Sequence, residues 1–417
     1  MDVKKLNEKF SNCNCQKEHK CDIEFVKVER GAVNSLKDLT KDYKKVVLVY
    51  DENTYNLLGK KIEGILNNIE KLVILKPQEK VVIPNEEKID EITNSLSTDT
   101  DLIMGVGSGV INDLCKHVSF TKNLPYFIVA TAPSMDGYAS VGSALILKGM
   151  KITLNARPPK AIIADTSVLK DAPIEMIKAG YGDIVGKFSC LNDWLLSAFI
   201  NKEYFCKKIY NYTYNCAKKV KKLAKKIKMR DEKSIGLLME ALILVGFMMS
   251  FVGTSRPASG SEHHLSHYFE ITGILNNEFY FAHGIDVVYS ACFLAKLREE
   301  IITNKPVKRE FNEKVYEEDI KKVYTSASSG VIELQKKLKF YEKDDSEFVY
   351  NNYAKIQKIL KKVPSYKQFV KMIEDVGLDY SEFEKAYSKE KLDYAILYAK
   401  DLKDRYTVLN LYFTYYR

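Results

Sequence analysis

Apolar residues over the first 170 positions come in short runs, at 23–28, 46–50, 72–75, 102–105, 126–130, 144–147, 152–154 and 161–164, separated by longer amphipathic or polar stretches. Short runs bounded by turn residues read as buried strands, and their alternation with helical periodicity predicts a mostly parallel sheet covered by helices. After Pro173 the spacing changes. Apolar positions then recur at helical intervals over 176–200, 204–229, 235–251, 284–300, 315–338 and 347–362, before a last group of short helices, with almost no strand pattern. The change of period predicts an α/β domain over 1–170 and an all-helical domain over 171–417.

Length supports that division, because 417 residues exceed what one hydrophobic core usually organises. With 46% hydrophobic and 29% charged residues, the chain has the composition of a folded globular protein and not of a disordered one. The net charge of +9 comes largely from lysine-rich helices such as 218–228, where Val220, Leu223, Ala224 and Ile227 interrupt the lysines. That is the solvated face of an amphipathic helix, and no base-stacking or basic-arm pattern accompanies it, so no nucleic-acid partner is expected. The run 235–252 is nearly long and apolar enough to span a bilayer, but Glu240 interrupts it and no second candidate follows. It reads as a buried core helix, with no membrane span expected. Residues 1–8 lack the apolar centre of a secretory signal, so the expectation is a cytoplasmic protein whose eight cysteines are thiols.

Candidate chemistry begins where strands end. The strand at 102–106 runs into Gly105-Val-Gly107-Ser108-Gly109, and a helix follows with Val110, Ile111, Asn112 and Asp113. Small residues let the backbone approach a pyrophosphate, and the N–H groups and dipole of a helix start favour its charge. Val110 stands where the last glycine of Gly-x-Gly-x-x-Gly would be, which makes this a loose form of the Rossmann-like turn. Thr131, Ala132, Pro133 and Ser134 follow the next strand, and the loop continues from Asp136 to Ser140. Ligands of open parallel sheets bind at the carboxyl ends of strands, so two such loops point to a dinucleotide. Asp51 ends the strand at 46–50, where its carboxylate suits an adenosine ribose and repels the extra phosphate of NADP. NAD(H) is therefore the expected cofactor, with NADP(H) as the second choice.

Three of the six histidines, His263, His264 and His267, fall within five residues. Ser259, Gly260 and Ser261 before them are turn and N-cap types, so the predicted helix sets His263 and His267 one turn apart on one face. His283 follows after a loop. Upstream, Gly180, Gly182 and Gly186 surround Asp183 in a predicted helix. Glycine costs about 1 kcal/mol against alanine there, which implies that something passes close to the backbone. Asp183 with His263 and His283 would make a two-nitrogen, one-oxygen set with open positions, the pattern of a catalytic metal. Asp183 could instead simply pair with Lys187 at i+4. A zinc peptidase is excluded, because Glu262 precedes His263 and the required His-Glu-x-x-His is absent. Cys13, Cys15, His19 and Cys21 form a Cys-x-Cys-x3-His-x-Cys run, which is either a second metal site or an ordinary reduced tail.

Five of these stretches occur in one order over nearly the whole chain: Gly-Ser-Gly-Val-Ile-Asn-Asp at 107–113, Thr-Ala-Pro-Ser-Met-Asp-Gly-Tyr-Ala-Ser at 131–140, Gly-Tyr-Gly-Asp-Ile-Val-Gly-Lys at 180–187, Ser-Gly-Ser-Glu-His at 259–263 and His-Gly at 283–284. Together they resemble the bacterial branch of the sn-glycerol-1-phosphate dehydrogenases, in the dehydroquinate synthase and iron-containing alcohol dehydrogenase superfamily. The resemblance implies a dehydroquinate synthase-like fold and the reversible reduction of dihydroxyacetone phosphate to sn-glycerol 1-phosphate, with hydride delivered to a C2 carbonyl polarised by a metal. It implies that Gly109, Val110, Ile111, Asn112, Asp113, Thr131, Ala132, Pro133, Ser134 and Ser140 bind NAD(P), with Asp51 at the adenosine end. Asp136, Asp183 and His267 would contact substrate and act in catalysis, while Asp183, His263 and His283 would hold one Zn2+ or Ni2+ per subunit. A homo-oligomer, dimer or larger, and a role in phospholipid biosynthesis are further implications. Lys187 and Arg256 lie close enough in sequence to the ligands to be candidates for the substrate phosphate. A glycerol dehydrogenase or a dehydroquinate-synthase-like lyase would share the fold. Two departures stand out: Ser108 occupies the place of a glycine in the family's turn, and the gap between His267 and His283 is longer than in the archaeal members it resembles.

Overall fold

The computed structural model describes residues 1–77, 81–147 and 150–417, with the backbone alone at Met150 and Lys151. They divide into two compact units, one combining Met1–Gly180 with Lys226–Ser255 and the other Tyr181–Lys225 with Arg256–Arg417.

The first unit is built on six parallel strands: β1 (Phe25–Glu29), β2 (Val46–Asp51), β3 (Ile69–Leu75), β4 (Leu102–Gly107), β5 (Tyr126–Ala130) and, after a hairpin of β6 (Gly142–Leu147) and β7 (Met150–Asn155), β8 (Ala161–Asp165). Their order across the sheet is β1-β8-β5-β4-β2-β3, and the antiparallel hairpin forms a sheet of its own. β4, β5 and β8 are buried at every position, so their sequence runs are continuous where a strand with one wet face would alternate. The chain leaves β2 for the edge strand β3 and returns on the other side of β2 as β4. The carboxyl ends of β2, β4 and β5 thus flank the topological switch point, where parallel sheets bind ligands.

Four helices complete what matters here in this unit: α1 (Val3–Ser11), α2 (Gly109–Thr121), the start of α3 (Ile174–Asn201), and α4 (Glu232–Val252). By length and composition α4 is apolar enough to cross a membrane, yet 78% of its most apolar stretch is buried. Gly246 explains how it seats, because a Cβ there would lie 2.8 Å from both the Ala139 Cβ and the Asp136 carbonyl oxygen. The division at residue 170 expected from sequence differs from the structure on this helix. α4 is apolar on all sides and is buried with the sheet's unit, although it lies beyond the change of period.

The second unit is helical. The rest of α3 packs with α5 (Ser261–Asn276) and α6 (His283–Thr303). A Cβ at Gly182 would lie 2.3 Å from the Gly284 carbonyl oxygen, and one at Gly186 would lie 2.6 Å from Val287 Cγ1. These glycines let α6 approach α3 at backbone distance. Three expected helices are interrupted, 347–362 among them, which forms Ser346–Asn351 and Tyr353–Leu360. The stretch 204–229 forms Lys207–Lys221 and Ala224–Lys228, and 315–338 forms Glu313–Tyr324 and Ser328–Leu338, parted by Thr325 at φ +42°.

Candidate functional site

In the second unit α3 supplies Asp183, α5 supplies His263 and His267, and α6 opens on His283. Ligand atoms of Asp183, His263 and His283 all lie within 4.8 Å of one another. His263 Nδ1 is 2.7 Å from Glu262 Oε1 and its Nε2 is 3.6 Å from Asp183 Oδ1. The carboxylate at Nδ1 accepts from that nitrogen, so in the neutral ring Nε2 is the nitrogen left to an ion, the arrangement that a supported ligand histidine adopts. Glu262 Oε1 also accepts the Gly260 N–H at 2.9 Å, so one buried carboxylate closes the helix start and orients the imidazole. Ser266 Oγ lies 3.4 Å from His283 Nδ1. The ring of His267 is 6.2 Å from that of His263 and 5.5 Å from that of His283, adjacent to the three-donor set and outside it.

Burial alone would push the Asp183 carboxyl up. The Lys187 ammonium at 2.6 Å from Oδ1, together with His263 and His283, outweighs burial and holds it well below the usual carboxylate range. Glu262 is lowered in the same sense: burial raises it, and the bond to His263 and its charge prevail. His263 is pulled down by burial and by Lys187 but raised on balance by its bonds to Asp183 and Glu262. The two sequence readings of Asp183 therefore coexist, since it pairs with Lys187 and belongs to the donor set. An ionised buried carboxylate and two imidazoles, one backed by a carboxylate, fit a divalent metal ion.

The start of α5 is fixed from a distance. Gly260 is the N-cap and has no side chain with which to cap the first turn. The capping group is Asp193 of α3, whose Oδ2 accepts the Ser261 N–H at 2.7 Å and the Ser261 hydroxyl at 2.6 Å. Its Oδ1 accepts from Arg298 and from the Val408 N–H, each at 3.0 Å. A Cβ on Gly260 would sit 2.7 Å from Asp193 Oδ2, so glycine is required there. Lys187 and Arg256 are occupied with structural work, contrary to the expectation that they meet a substrate phosphate. Fully buried Lys187 donates to Asp183 and to the Ala258 carbonyl at 2.9 Å; Arg256 forks onto Glu203 at 2.8 and 2.7 Å and reaches the Tyr406 carbonyl at 2.8 Å.

The nucleotide candidates belong to the first unit. Ser108, extended at φ −101° and ψ −153°, is the N-cap of α2 and makes no side-chain bond to the first turn. The N–H groups of Gly109, Val110 and Ile111 therefore have no capping side chain, as an anion site requires. Extended backbone suits any residue, which accounts for serine where the family has glycine. The demanding position is Gly107, where a Cβ would meet Ile111 Cγ1 at 2.5 Å. The Thr131 N–H donates to the Gly107 carbonyl at 3.1 Å and ties the two loops together.

Ala132 accepts the Tyr138 hydroxyl at 2.7 Å, and the Pro133 carbonyl lies where a Cβ on Gly180 would clash at 1.8 Å. Ser134 is half-buried, while Thr131 and Asp136 are buried. Asp51 caps the turn Glu52–Thr54: Oδ1 accepts the Thr54 N–H at 2.8 Å, and Oδ2 takes no part in the box. Buried Asn112 donates to Asp113 Oδ1 at 2.9 Å, and Asp113 Oδ2 accepts the Ala144 N–H at 3.2 Å. Lys116, absent from the sequence reading, binds the loop that follows. Its buried ammonium donates to the carbonyls of Gly137 at 2.7 Å and Gly142 at 2.9 Å and to Ser140 Oγ at 3.2 Å, with Asp113 Oδ1 at 3.6 Å. Burial lowers its pKa from the usual lysine value despite Asp113. The i+3 spacing from Asp113 was the one signal of it.

Residues 27–173 match the family model of the iron-containing alcohol dehydrogenases. A glycerol-1-phosphate dehydrogenase acting with NAD(P)+, from Geobacillus thermodenitrificans, is 32% identical over 371 residues, covering 87% of this chain and 86% of that one. This chain belongs to the glycerol-1-phosphate dehydrogenase family. The glycerol-1-phosphate dehydrogenase of Halalkalibacterium halodurans is 28% identical over 417 residues, 98% of this chain and 96% of that one. Among solved structures, the maleylacetate reductase of Rhizobium sp. strain MTP-10005 shares the fold with a TM-score of 0.62 at 10% identity, over 91% of this chain and 90% of that one. As a glycerol-1-phosphate dehydrogenase family member, the protein is an NAD(P)-linked oxidoreductase of a metal-dependent superfamily.

Proposed function

We propose that the protein reversibly reduces dihydroxyacetone phosphate to sn-glycerol 1-phosphate, with NADH preferred to NADPH. The observation that carries this reading is the convergence of Asp183, His263 and His283, with Glu262 behind His263, in a chain whose relatives bear that name. The reduced nicotinamide supplies the hydride, and a divalent ion held by those three residues, Zn2+ or Ni2+, supplies Lewis-acid polarisation of the C2 carbonyl, worth several kcal/mol.

The chain's own residues do the rest. Lys187 keeps Asp183 ionised and Glu262 keeps the His263 tautomer fixed, so the site holds its charge without rearrangement. His267 donates a proton from its ring to the oxygen on C2, a role an imidazole fills near neutral pH, while Asp136 and Asp183 orient substrate hydroxyls. Gly109, Val110 and Ile111 offer N–H groups to the pyrophosphate, with Asn112, Asp113, the Thr131–Ser134 stretch and Ser140 shaping the walls. Asp51 accepts from the ribose hydroxyls through Oδ2 and repels a 2′-phosphate.

The test is NADH oxidation by metal-loaded protein with dihydroxyacetone phosphate or unphosphorylated dihydroxyacetone. Turnover is expected with the phosphate ester, and equal turnover with the unphosphorylated ketone would contradict the assignment. Asp51→Ser is expected to narrow the NADH preference with the fold intact, because serine also serves as an N-cap. A wild type that already used NADPH as readily would remove Asp51 from this role.

A further inference from the structure

The Cys-x-Cys-x3-His run plays no part in the chemistry above. It follows α1, whose Phe10 is fully buried against Phe251 with ring centroids 4.9 Å apart. His19, 1% exposed, sits beside them with Nδ1 2.9 Å from the Phe251 carbonyl oxygen. A carbonyl only accepts, so Nδ1 carries the proton and Nε2 bears the lone pair. That lone pair faces Cys15 Sγ at 3.0 Å. The ligand atoms of Cys13, Cys15 and His19 lie within 4.8 Å of one another. Tetrahedral zinc, with bonds of about 2.0–2.3 Å, sets its ligand atoms roughly 3.3–3.8 Å apart. Cys15 Sγ and His19 Nε2, at 3.0 Å, already stand at about that separation, and the backbone acceptor at Nδ1 is the support that ligand histidines carry.

Cys21, the fourth member of the sequence run, does not join the group. Its thiol is buried and hydrogen-bonds to Ser250, and its sulfur is not among the clustered ligand atoms. The tail reading has its own difficulty, because a loose tail would not bury an imidazole. Nor would it anchor itself to the last turn of α4, where Lys17 Nζ also donates to the Val252 carbonyl at 3.1 Å.

We infer that Cys13, Cys15 and His19 bind a structural zinc ion, with a further donor completing the tetrahedron, and that the ion pins residues 12–24 to the carboxyl end of α4. Binding displaces the two thiol protons, as thiolate ligation requires.

The site differs from the Asp183 centre in containing sulfur, and cobalt substitution separates the two. The 417-residue protein loaded with Co2+ should show a sulfur-to-cobalt charge-transfer band in the near ultraviolet. The band should persist in His263→Ala, vanish in Cys13→Ser/Cys15→Ser and weaken in His19→Gln. Elemental analysis of zinc-replete wild type should give one equivalent per chain more than the double cysteine variant. No charge-transfer band in the wild type, which needs no variant to fold, would overturn the inference. So would a band unchanged by the double substitution.

Discussion

Glu262 would support the proposed metal centre through a neighbouring ligand and not as a ligand itself. It fixes the His263 tautomer and closes the first turn of α5 with the same oxygen. Removing such a support typically costs roughly 10–100-fold in metal affinity. Glu262→Ala is therefore expected to weaken zinc binding by about that factor in a chelator competition, and unchanged affinity would mean the tautomer is set by something else. His267 should behave in the opposite way. His267→Ala is expected to keep its metal by elemental analysis and its NADH affinity, and to lose turnover, whereas His263→Ala should purify nearly metal-free. If the two variants were equally depleted of metal, His267 would be a fourth ligand. The sequence made Asp183, His263 and His283 legible by residue type and spacing. The roles of Glu262, Asp193 and Lys116 were not legible: neighbours in sequence do not fix which way a side chain turns, and Asp193 reaches Ser261 and Val408, which lie 68 and 215 residues away.

At the scale of elements, strands were the most legible feature, because buried parallel strands are continuous apolar runs and their ends are marked by glycine or polar residues. Helix breaks were less so. Nothing in the apolar period of 315–338 announces the turn at Thr325, which arises where the backbone takes a positive φ. The loop from Gly137 to Gly142 is held by Lys116 on α2, and that contact has a measurable consequence. Each hydrogen bond to a charged group is worth about 1.5–3 kcal/mol, so Lys116→Met should lower the melting temperature and weaken NADH binding while leaving metal content unchanged. Calorimetry and fluorescence titration with NADH check both parts. A variant with wild-type NADH affinity would show that the loop holds its shape without the ammonium.

At the scale of the molecule, the α/β and helical regions were readable from the change in period, while the allegiance of α4 was not. A helix that is apolar on every side gives no stripe by which to tell which core it will enter. In the proposed function the nucleotide loops belong to the sheet's unit and the Asp-His-His set to the helical unit, and the protein acts as a stereospecific reductase. The direct measurement is the configuration of the product formed from dihydroxyacetone phosphate and NADH by the metal-loaded protein, read with an enzyme specific for one glycerol phosphate enantiomer. The expected product is sn-glycerol 1-phosphate alone. The sn-3 enantiomer, a racemate, or no product with zinc or nickel restored would contradict it.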